Sequence, residues 1–226
     1  MNTPERWRVE LHCHTCFSPD SLAQPEAIIA ACRRRGIAKI AITDHNTIAG
    51  AVAAARLAPD LVIVGEEIMT TQGEIIAWFV REEVPKGLSP AETLARLHDQ
   101  GAVIGIPHPL DGLRNSAMGL ERTLALLDRV DALEVFNARC LRAADNEAAL
   151  RLAYEHGKLR TAGSDAHTIG EIGAAVMRMP PFTDAATFRR SLATATFEGR
   201  LSGPHVHLYS LLAKRAKPLL RVFGRA

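Results

Sequence analysis

The sequence predicts an α/β fold built on a largely parallel sheet, either open or closed into a barrel. Short apolar runs alternate with helical patterns six or seven times, which is the signature of β-then-α units. Polar residues gather where the apolar runs end. The size agrees: 226 residues, 47% apolar and 23% charged, suit one large globular domain.

The elements follow in order. "WRVELH" reads as a strand, and "QPEAIIAACRRRG" as a helix ending at Gly36. "IAKIAIT" is a second strand, followed by the helical "IAGAVAAARLA". "LVIVGEEIMTT" and "GEIIAWFV" are two β runs separated by a bend at Gln72-Gly73. "LSPAETLARLHDQG" carries Ser89 as N-cap, Pro90 at the first helical position and Gly101 at its end. "AVIGIP" and "ALEVFN" are strands, each leading to a helix, "GLERTLALLDRV" and "AADNEAALRLAYEHG" respectively. "LRTAGS" closes the series, before a strand-like "AAVMRMP" and the helix "DAATFRRSLATA". The expected division is a barrel domain over 1–203 and a basic C-terminal segment over 204–226.

Composition excludes several classes. The opening "MNTPERWRVE" is too charged for a signal peptide, and no apolar run is long enough to span a bilayer, so a cytoplasmic location is expected. Four cysteines in such a chain are expected as free thiols. The net charge of +2 hides an asymmetry: Lys214, Arg215, Lys217, Arg221 and Arg225 crowd the last sixteen residues. Removing them leaves 22 basic against 25 acidic residues, so the body is no nucleic-acid platform and no stable nucleic-acid complex is expected. Leu211, Leu212, Leu219 and Leu220 give the tail a helical pattern interrupted at Pro218. A basic amphipathic segment of this kind suits a membrane surface, nucleic acid or a second subunit, but docking on the barrel or dimer packing is the simpler expectation. The oligomeric state is not encoded in these patterns.

The informative residues lie at strand ends. His12 and His14 end the first strand, Asp44 and His45 the second, and Glu66 and Glu67 the third. His108 follows "AVIGIP", Glu134 and Asn137 lie on "ALEVFN", and Asp165 and His167 follow "LRTAGS". The C-terminal strand ends of a parallel sheet or barrel form one rim, so these groups converge. Imidazoles mixed with carboxylates suit Zn, Mn or Fe better than Mg. His12 and His14, two apart on a strand, point the same way while Cys13 points away, and Asp165 and His167 repeat the spacing.

"ELHCHTCFSPD", "ITDHN", "GEEIMT", "IPHP", "LEVFN" and "GSDAH", in this order over residues 8 to about 170, resemble the motif series of the PHP (polymerase and histidinol phosphatase) family, in its small stand-alone branch. The resemblance implies a distorted (β/α)7 barrel with two or three divalent metals at the C-terminal rim and hydrolysis of phosphate esters. By motif, His12, His14, Glu67 and Asp165 would hold one metal. Glu67 would bridge to a second bound by His108, and Asp20, His45 and His167 would hold a third. Many family members carry a histidine where this chain has Ile76; Glu74, two residues earlier on the same face, is the expected substitute.

The expected activity is a metal-dependent phosphoesterase acting on a phosphomonoester, a nucleotide or an oligonucleotide end through a metal-bridging hydroxide. Arg114 and Arg139, following two of the strands, would reach a phosphate, and His45 or His167 would protonate the leaving oxygen. Asp44 and Asn137 are expected to orient ligands. The alternatives are a metal-dependent amidohydrolase acting on C–N bonds and an inactive interaction module. Cys13 reads as a buried apolar residue rather than half of a CxxC site, because no second pair exists. Ser164 lacks a separate base and is not expected as a nucleophile. His98 and His156 read as helix-surface residues, and His205 and His207 as surface packing.

Overall fold

The computed structural model describes residues 5–222, with side chains described to residue 218, so Leu219, Leu220, Arg221 and Arg225 of the tail lie outside the described side chains. Nine strands form one sheet in the order β7-β6-β5-β4-β3-β2-β1-β8-β9. These are β1 (Trp7–Glu10), β2 (Lys39–Ile42), β3 (Val62–Thr70), β4 (Gly73–Trp78), β5 (Val103–Ile106), β6 (Ala132–Asn137), β7 (Leu159–Gly163), β8 (Ala175–Met179) and β9 (Thr196–Gly199). The sheet curls until its seventh strand meets its first. Cys13, beyond β1, bridges Ala166, beyond β7, in parallel, with the His14 N–H donating to the Ala166 carbonyl at 2.8 Å. The result is a nearly closed barrel, as expected.

The count departs from a strict (β/α)7 repeat. β1, β2 and β3 run parallel, as do β5, β6 and β7, but β4 is antiparallel to both its neighbours. Only Thr71 and Gln72 separate β3 from β4, and a parallel crossover needs a dozen residues or more. A hairpin is the only pairing so short a link allows. It turns at Gly73, whose φ of +133° disfavours a side chain. One consequence matters for the site: β4 begins at the rim where the parallel strands end. Beyond β1, β8 and β9 extend the sheet antiparallel, so the strand-like "AAVMRMP" is no further parallel unit.

Alternation sorts the apolar residues into an inner and an outer set. Val9, Leu11, Ala41, Ile63, Ile76, Trp78 and Val103 fill the barrel, closed below by Phe182 and Phe188. Trp78 is 1% exposed, and its indole N–H donates to the Leu11 carbonyl at 2.9 Å. Gly105 lies under that ring, where a Cβ would stand 2.9 Å from it. Outside, α1 (Pro25–Arg34) and α2 (Ala49–Leu57) pack Ile28, Ala31 and Ala54 on Ile40 and Ile42. Helix α3 (Pro90–Asp99) packs Leu94 and Leu97, and α5 (Ala143–Glu155) packs Leu152, over Ile104 and Leu133. Each fully buried Leu or Ile contributes roughly 1.5–3 kcal/mol. The expected N-cap Ser89 forms at α3, and within a capping box: Ser89 accepts from the Glu92 N–H and Glu92 from the Ser89 N–H.

The remaining helices are α4 (Leu120–Leu126), α6 (Ala185–Ala193) and α7 (His205–Val222). Helix α4 tightens into a 3-10 turn at Leu127–Arg129, which shortens the expected element. Helix α7 runs through Pro218 instead of breaking there. His98 and His156 lie at helix C-termini, His98 contacting the Arg129 carbonyl at 3.0 Å.

Candidate metal centre

The rim gathers all nine side chains expected to hold metal. His12 and His14 lie just past β1, Asp20 in the loop before α1, and His45 past β2. Glu67 is on β3, Glu74 opens β4, His108 follows β5, and Asp165 and His167 follow β7. Seven are buried, while Asp20 and His45 have side chains 20% and 16% exposed. The antiparallel β4 explains the Ile76 departure: Glu74 reaches the rim, while Ile76 sits two residues deeper in the apolar filling.

Distances resolve the cage into three overlapping donor groups. In the first, His12 Nε2 lies 3.4 Å from Glu67 Oε1 and 3.6 Å from Asp165 Oδ1. His14 Nε2 lies 3.5 Å from Glu67 Oε2 and 3.3 Å from the same Asp165 oxygen. A tetrahedral ion with ligands at about 2.1 Å holds them about 3.4 Å apart. In the second, His108 Nε2 is 3.0 Å from Glu67 Oε1 and 3.6 Å from Glu74 Oε2. His45 Nδ1 is 3.0 Å from Glu67 Oε2 and 3.5 Å from Glu74 Oε1. In the third, Asp20 lies 3.6 Å from His45 Nε2 and 3.4 Å from His167 Nε2.

These donors fit divalent cations and fit poorly with one another. Among the described residues, His12 Nε2, His14 Nε2, Glu67 Oε2, Glu74 Oε2, Asp20 Oδ1 and Asp165 Oδ1 are buried without a hydrogen-bond partner. Buried polar atoms are ordinarily satisfied, so six orphans aimed at one another call for an ion. Burial opposes the charge on His12, yet Glu67, Glu134 and Asp165 raise its pKa well above the usual histidine value. His14 moves the other way, pushed down to about 3 by burial and by His167 and His45. Burial opposes ionisation of Glu67, but His12 and His45 hold it well below the carboxylate range. Asp165 is likewise held low against burial, first by Arg114 and then by His12. Protons on the imidazoles leave them crowding one another, whereas divalent cations would replace those protons and take lone pairs from neutral imidazoles and carboxylates alike.

A further layer fixes the donors. The His12 Nδ1–H donates to Glu134 Oε1 at 2.9 Å, leaving Nε2 for the cage. Glu134 Oε2 accepts from the His108 backbone N–H at 2.8 Å and from Asn137 Nδ2 at 2.9 Å. Asn137 Nδ2 also reaches Asp165 Oδ2 at 3.2 Å, in the orienting position expected of it. Ser18 Oγ lies 3.1 Å from His14 Nδ1 and accepts from the His45 N–H. Asp44, expected to orient a ligand, accepts from the N–H and hydroxyl of Thr15, both at 2.6 Å. Asn46, His108 and Asp165 have φ of 58°, 29° and 52°, a region few non-glycine residues adopt. Such conformations persist where surrounding structure over-determines them, commonly at functional sites.

Above the cage opens a cavity of about 590 Å3. Arg114 enters it, with Nη1 2.8 Å from Asp165 Oδ2 and Nε 3.4 Å from Asp111. Burial disfavours its charge, but Asp165 and then Glu67 and Glu74 hold it firmly protonated. Arg139 borders the cavity with its guanidinium already engaged: Nη2 donates to the Val206 carbonyl and to Ser210 Oγ, both at 2.8 Å. It thereby clamps α7 to the barrel, and α7 contributes His207, Ser210 and Lys214 to the cavity wall. His207 Nε2 contacts the Arg139 carbonyl at 3.0 Å, so it packs at the rim outside the donor groups. The sequence patterns missed this wall and missed Glu134 as a hub. A buried acid on a barrel strand was the visible signal for Glu134; for α7 the helical pattern of the tail suggested docking on the barrel but not its place beside the cage.

The groups set aside stay aside. Cys13, Cys32 and Cys140 are buried free thiols and Cys16 is half-buried. Ser164 Oγ donates to Glu10 and accepts from the Ala175 N–H, which turns it from the cavity. Glu66 accepts from the Val84 N–H on the opposite face of β3 from Glu67.

Fold and site together define a barrel protein with an imidazole–carboxylate donor cage at one rim. Residues 10–83 match the PHP domain and residues 143–196 the PHP-associated family. The chain belongs to the PHP family. It is 40% identical over 149 residues to the uncharacterized protein MJ1587 of Methanocaldococcus jannaschii, covering 58% of this chain and 82% of that one. Its fold resembles that of a two-domain protein from Bacteroides vulgatus containing a predicted PHP-like metal-dependent phosphoesterase. That match has a TM-score of 0.72 at 16% identity, over 92% of this chain and 70% of that one. It also resembles the lesion-specific endonuclease EndoQ of Pyrococcus furiosus, with a TM-score of 0.63 at 14% identity over 85% and 58% of the two chains.

Proposed function

We propose that this protein is a metal-dependent hydrolase that cleaves a phosphate ester: a small phosphomonoester, a nucleotide or an oligonucleotide end. The observation that carries this reading is Arg114 standing over the donor cage, 2.8 Å from Asp165. A cage of this kind serves many hydrolases; a cation poised beside it suits a tetrahedral polyanion. Similarity of fold to a predicted PHP-like metal-dependent phosphoesterase and to a lesion-specific endonuclease supports the same chemistry. A more distant fold neighbour, an amidohydrolase from Chromobacterium violaceum, keeps the C–N alternative in the test.

In this reading His12, His14, Glu67 and Asp165 would hold one ion, His108 and Glu67 with Glu74 a second, and Asp20, His45 and His167 would be the donors for a third. Zn, Mn and Fe suit the donors better than Mg. Bound ions supply Lewis acidity and lower the pKa of water. The chain's own residues do the rest. Arg114 donates to non-bridging phosphate oxygens and turns the phosphorus toward the cage. As water adds to phosphorus and the ester P–O bond breaks, the departing oxygen would take a proton from His45 or His167, whichever of the two no ion engages. Arg139 is a positioning residue, because its guanidinium is engaged by Val206 and Ser210 of α7, by the Asp165 carbonyl and by Glu171. The walled cavity, within the range of small-molecule sites, favours a small substrate or a chain end over a continuous duplex.

The test is a panel with added Mn²⁺ or Zn²⁺: 4-nitrophenyl phosphate, bis(4-nitrophenyl) phosphate, 5′-phosphorylated oligonucleotides and N-acyl amides. Turnover of a phosphate substrate, reduced 10²–10³-fold in Arg114→Ala, is expected. Turnover of amides alone overturns the assignment in favour of a C–N hydrolase. Flat assays with metal-free protein point to an inactive module.

A further inference from the structure

Helix α7 presents three faces. Val206, Ala213 and Lys217 are buried against the barrel, and Lys217 Nζ donates to the Cys16 and Ser18 carbonyls. His207, Ser210 and Lys214 form the edge that walls the cavity. The third face points away from both. On it Leu208, Tyr209, Leu211 and Leu212 are 56%, 53%, 59% and 52% exposed. Residues at i, i+3, i+4 and i+7 share one helical face, so exposed Arg215 stands among Leu208, Leu211 and Leu212. Beside this face, Tyr209 and Leu212 line a shallow apolar groove with Leu22, itself 45% exposed. Single exposed leucines are ordinary, but a contiguous stripe of this kind marks an interaction surface.

Charge selects the partner. No acidic residue follows Glu198, while Arg200, Lys214, Arg215, Lys217, Arg221 and Arg225 do. A helix whose apolar face carries leucines and a tyrosine, and whose only charges are basic, matches the pattern of helices that lie in the plane of an anionic bilayer. There the Arg215 stem lies along the leucines while its head reaches lipid phosphates. A second copy of this chain fits less well. Two-fold pairing of the stripe would bury Arg215 in a leucine seam with no acid on α7 to pair it, and a charge left unpaired at an interface is costly. We propose that the outer face of α7 docks this protein on anionic membrane surfaces, flat in the interface. Among the described residues no helix is long and apolar enough to cross a membrane, and none is needed.

The test is co-sedimentation of the full chain with vesicles of phosphatidylglycerol and phosphatidylcholine, against phosphatidylcholine alone, with light scattering of the free protein. Wild type should pellet with the anionic vesicles only, less at high salt. The triple variant Leu208→Gln/Leu211→Gln/Leu212→Gln and the single Arg215→Glu should each bind at least tenfold less. The triple variant should keep its secondary structure by circular dichroism, because these side chains are exposed. Failure of wild type to bind anionic vesicles overturns the proposal, as does undiminished binding by a correctly folded triple variant. A dimer that the triple variant dissociates overturns it in favour of a second copy. None of these outcomes depends on the hydrolytic reading.

Discussion

Glu134 and His12 are 122 residues apart in sequence and 2.9 Å apart in space, and that contact decides which nitrogen of His12 faces the donor cage. With Nδ1–H donated to Glu134, Nε2 keeps its lone pair for an ion. Partners of this kind typically change metal affinity 10–100-fold when removed. Glu134→Ala should weaken the tightest metal site by about that factor, and more than Glu134→Gln, whose amide oxygen can still accept. Titration with a competing chelator measures it; unchanged affinity in Glu134→Ala would show that the contact does not orient the ligand.

Metal removal should cost stability as well as activity. Glu67, Glu74 and Asp165 are buried with oxygens that lack hydrogen-bond partners, so the ion-free cage confines like charges at close range. An ion that binds only the folded state stabilises it by about 2.7 kcal/mol at a hundredfold excess over Kd. Treatment with a strong chelator should lower Tm by several degrees and readdition of Mn²⁺ or Zn²⁺ should restore it. Identical melting with and without chelator would argue against a bound ion.

The seam between β1 and the end of β7 carries its own pH dependence. Burial pushes the Glu10 carboxyl up from 4.5 to about 7, against hydrogen bonds from Ser164, Gly173 and His12 that pull it down. Between those values the folded protein binds more protons than the unfolded chain, so stability falls as pH rises through that window. The contribution is on the order of 3 kcal/mol. Glu10→Gln shifts stability by its own fixed amount, since its amide must face a donor, but should flatten the slope between about pH 5 and pH 7. Denaturant midpoints across that range provide the measurement, and an unchanged slope would count against the assignment.

Gly163 ends β7 directly beneath His12. A Cβ there would stand 2.3 Å from His12 Cβ and 2.8 Å from Glu134 Oε1. Gly163→Ala must therefore displace His12 or its partner. Overpacking of this kind typically costs about 1–3 kcal/mol. Metal affinity should fall along with stability, as read by thermal melts and metal content of the purified variant. A stable Gly163→Ala protein with full metal content would show that the rim relaxes freely.

The positions of the candidate ligands were legible in the sequence because they depend on local rules. Strand alternation places His12 and His14 on one side with Cys13 opposite, and six strand-like runs each delivered a donor to the same end. The hairpin at Gln72-Gly73 was visible too, though its effect on Glu74 depends on β4 reversing direction. Asp44 was legible as a polar residue at a strand end, but its partner Thr15, 29 residues away, was not.

By itself the chain determined which residues stand at strand ends, since side-chain period and turn chemistry act over a few positions. Tertiary structure alone decided the long-range partnerships: Glu134 with His12, Arg114 with Asp165, and Arg139 with α7. It also decided that Cys13 and Ala166 join the first and seventh strands. Those contacts span tens to hundreds of residues, and no local periodicity encodes which buried acid meets which imidazole. Packing chooses among them, because every buried polar atom must find a partner or a cation when the barrel closes.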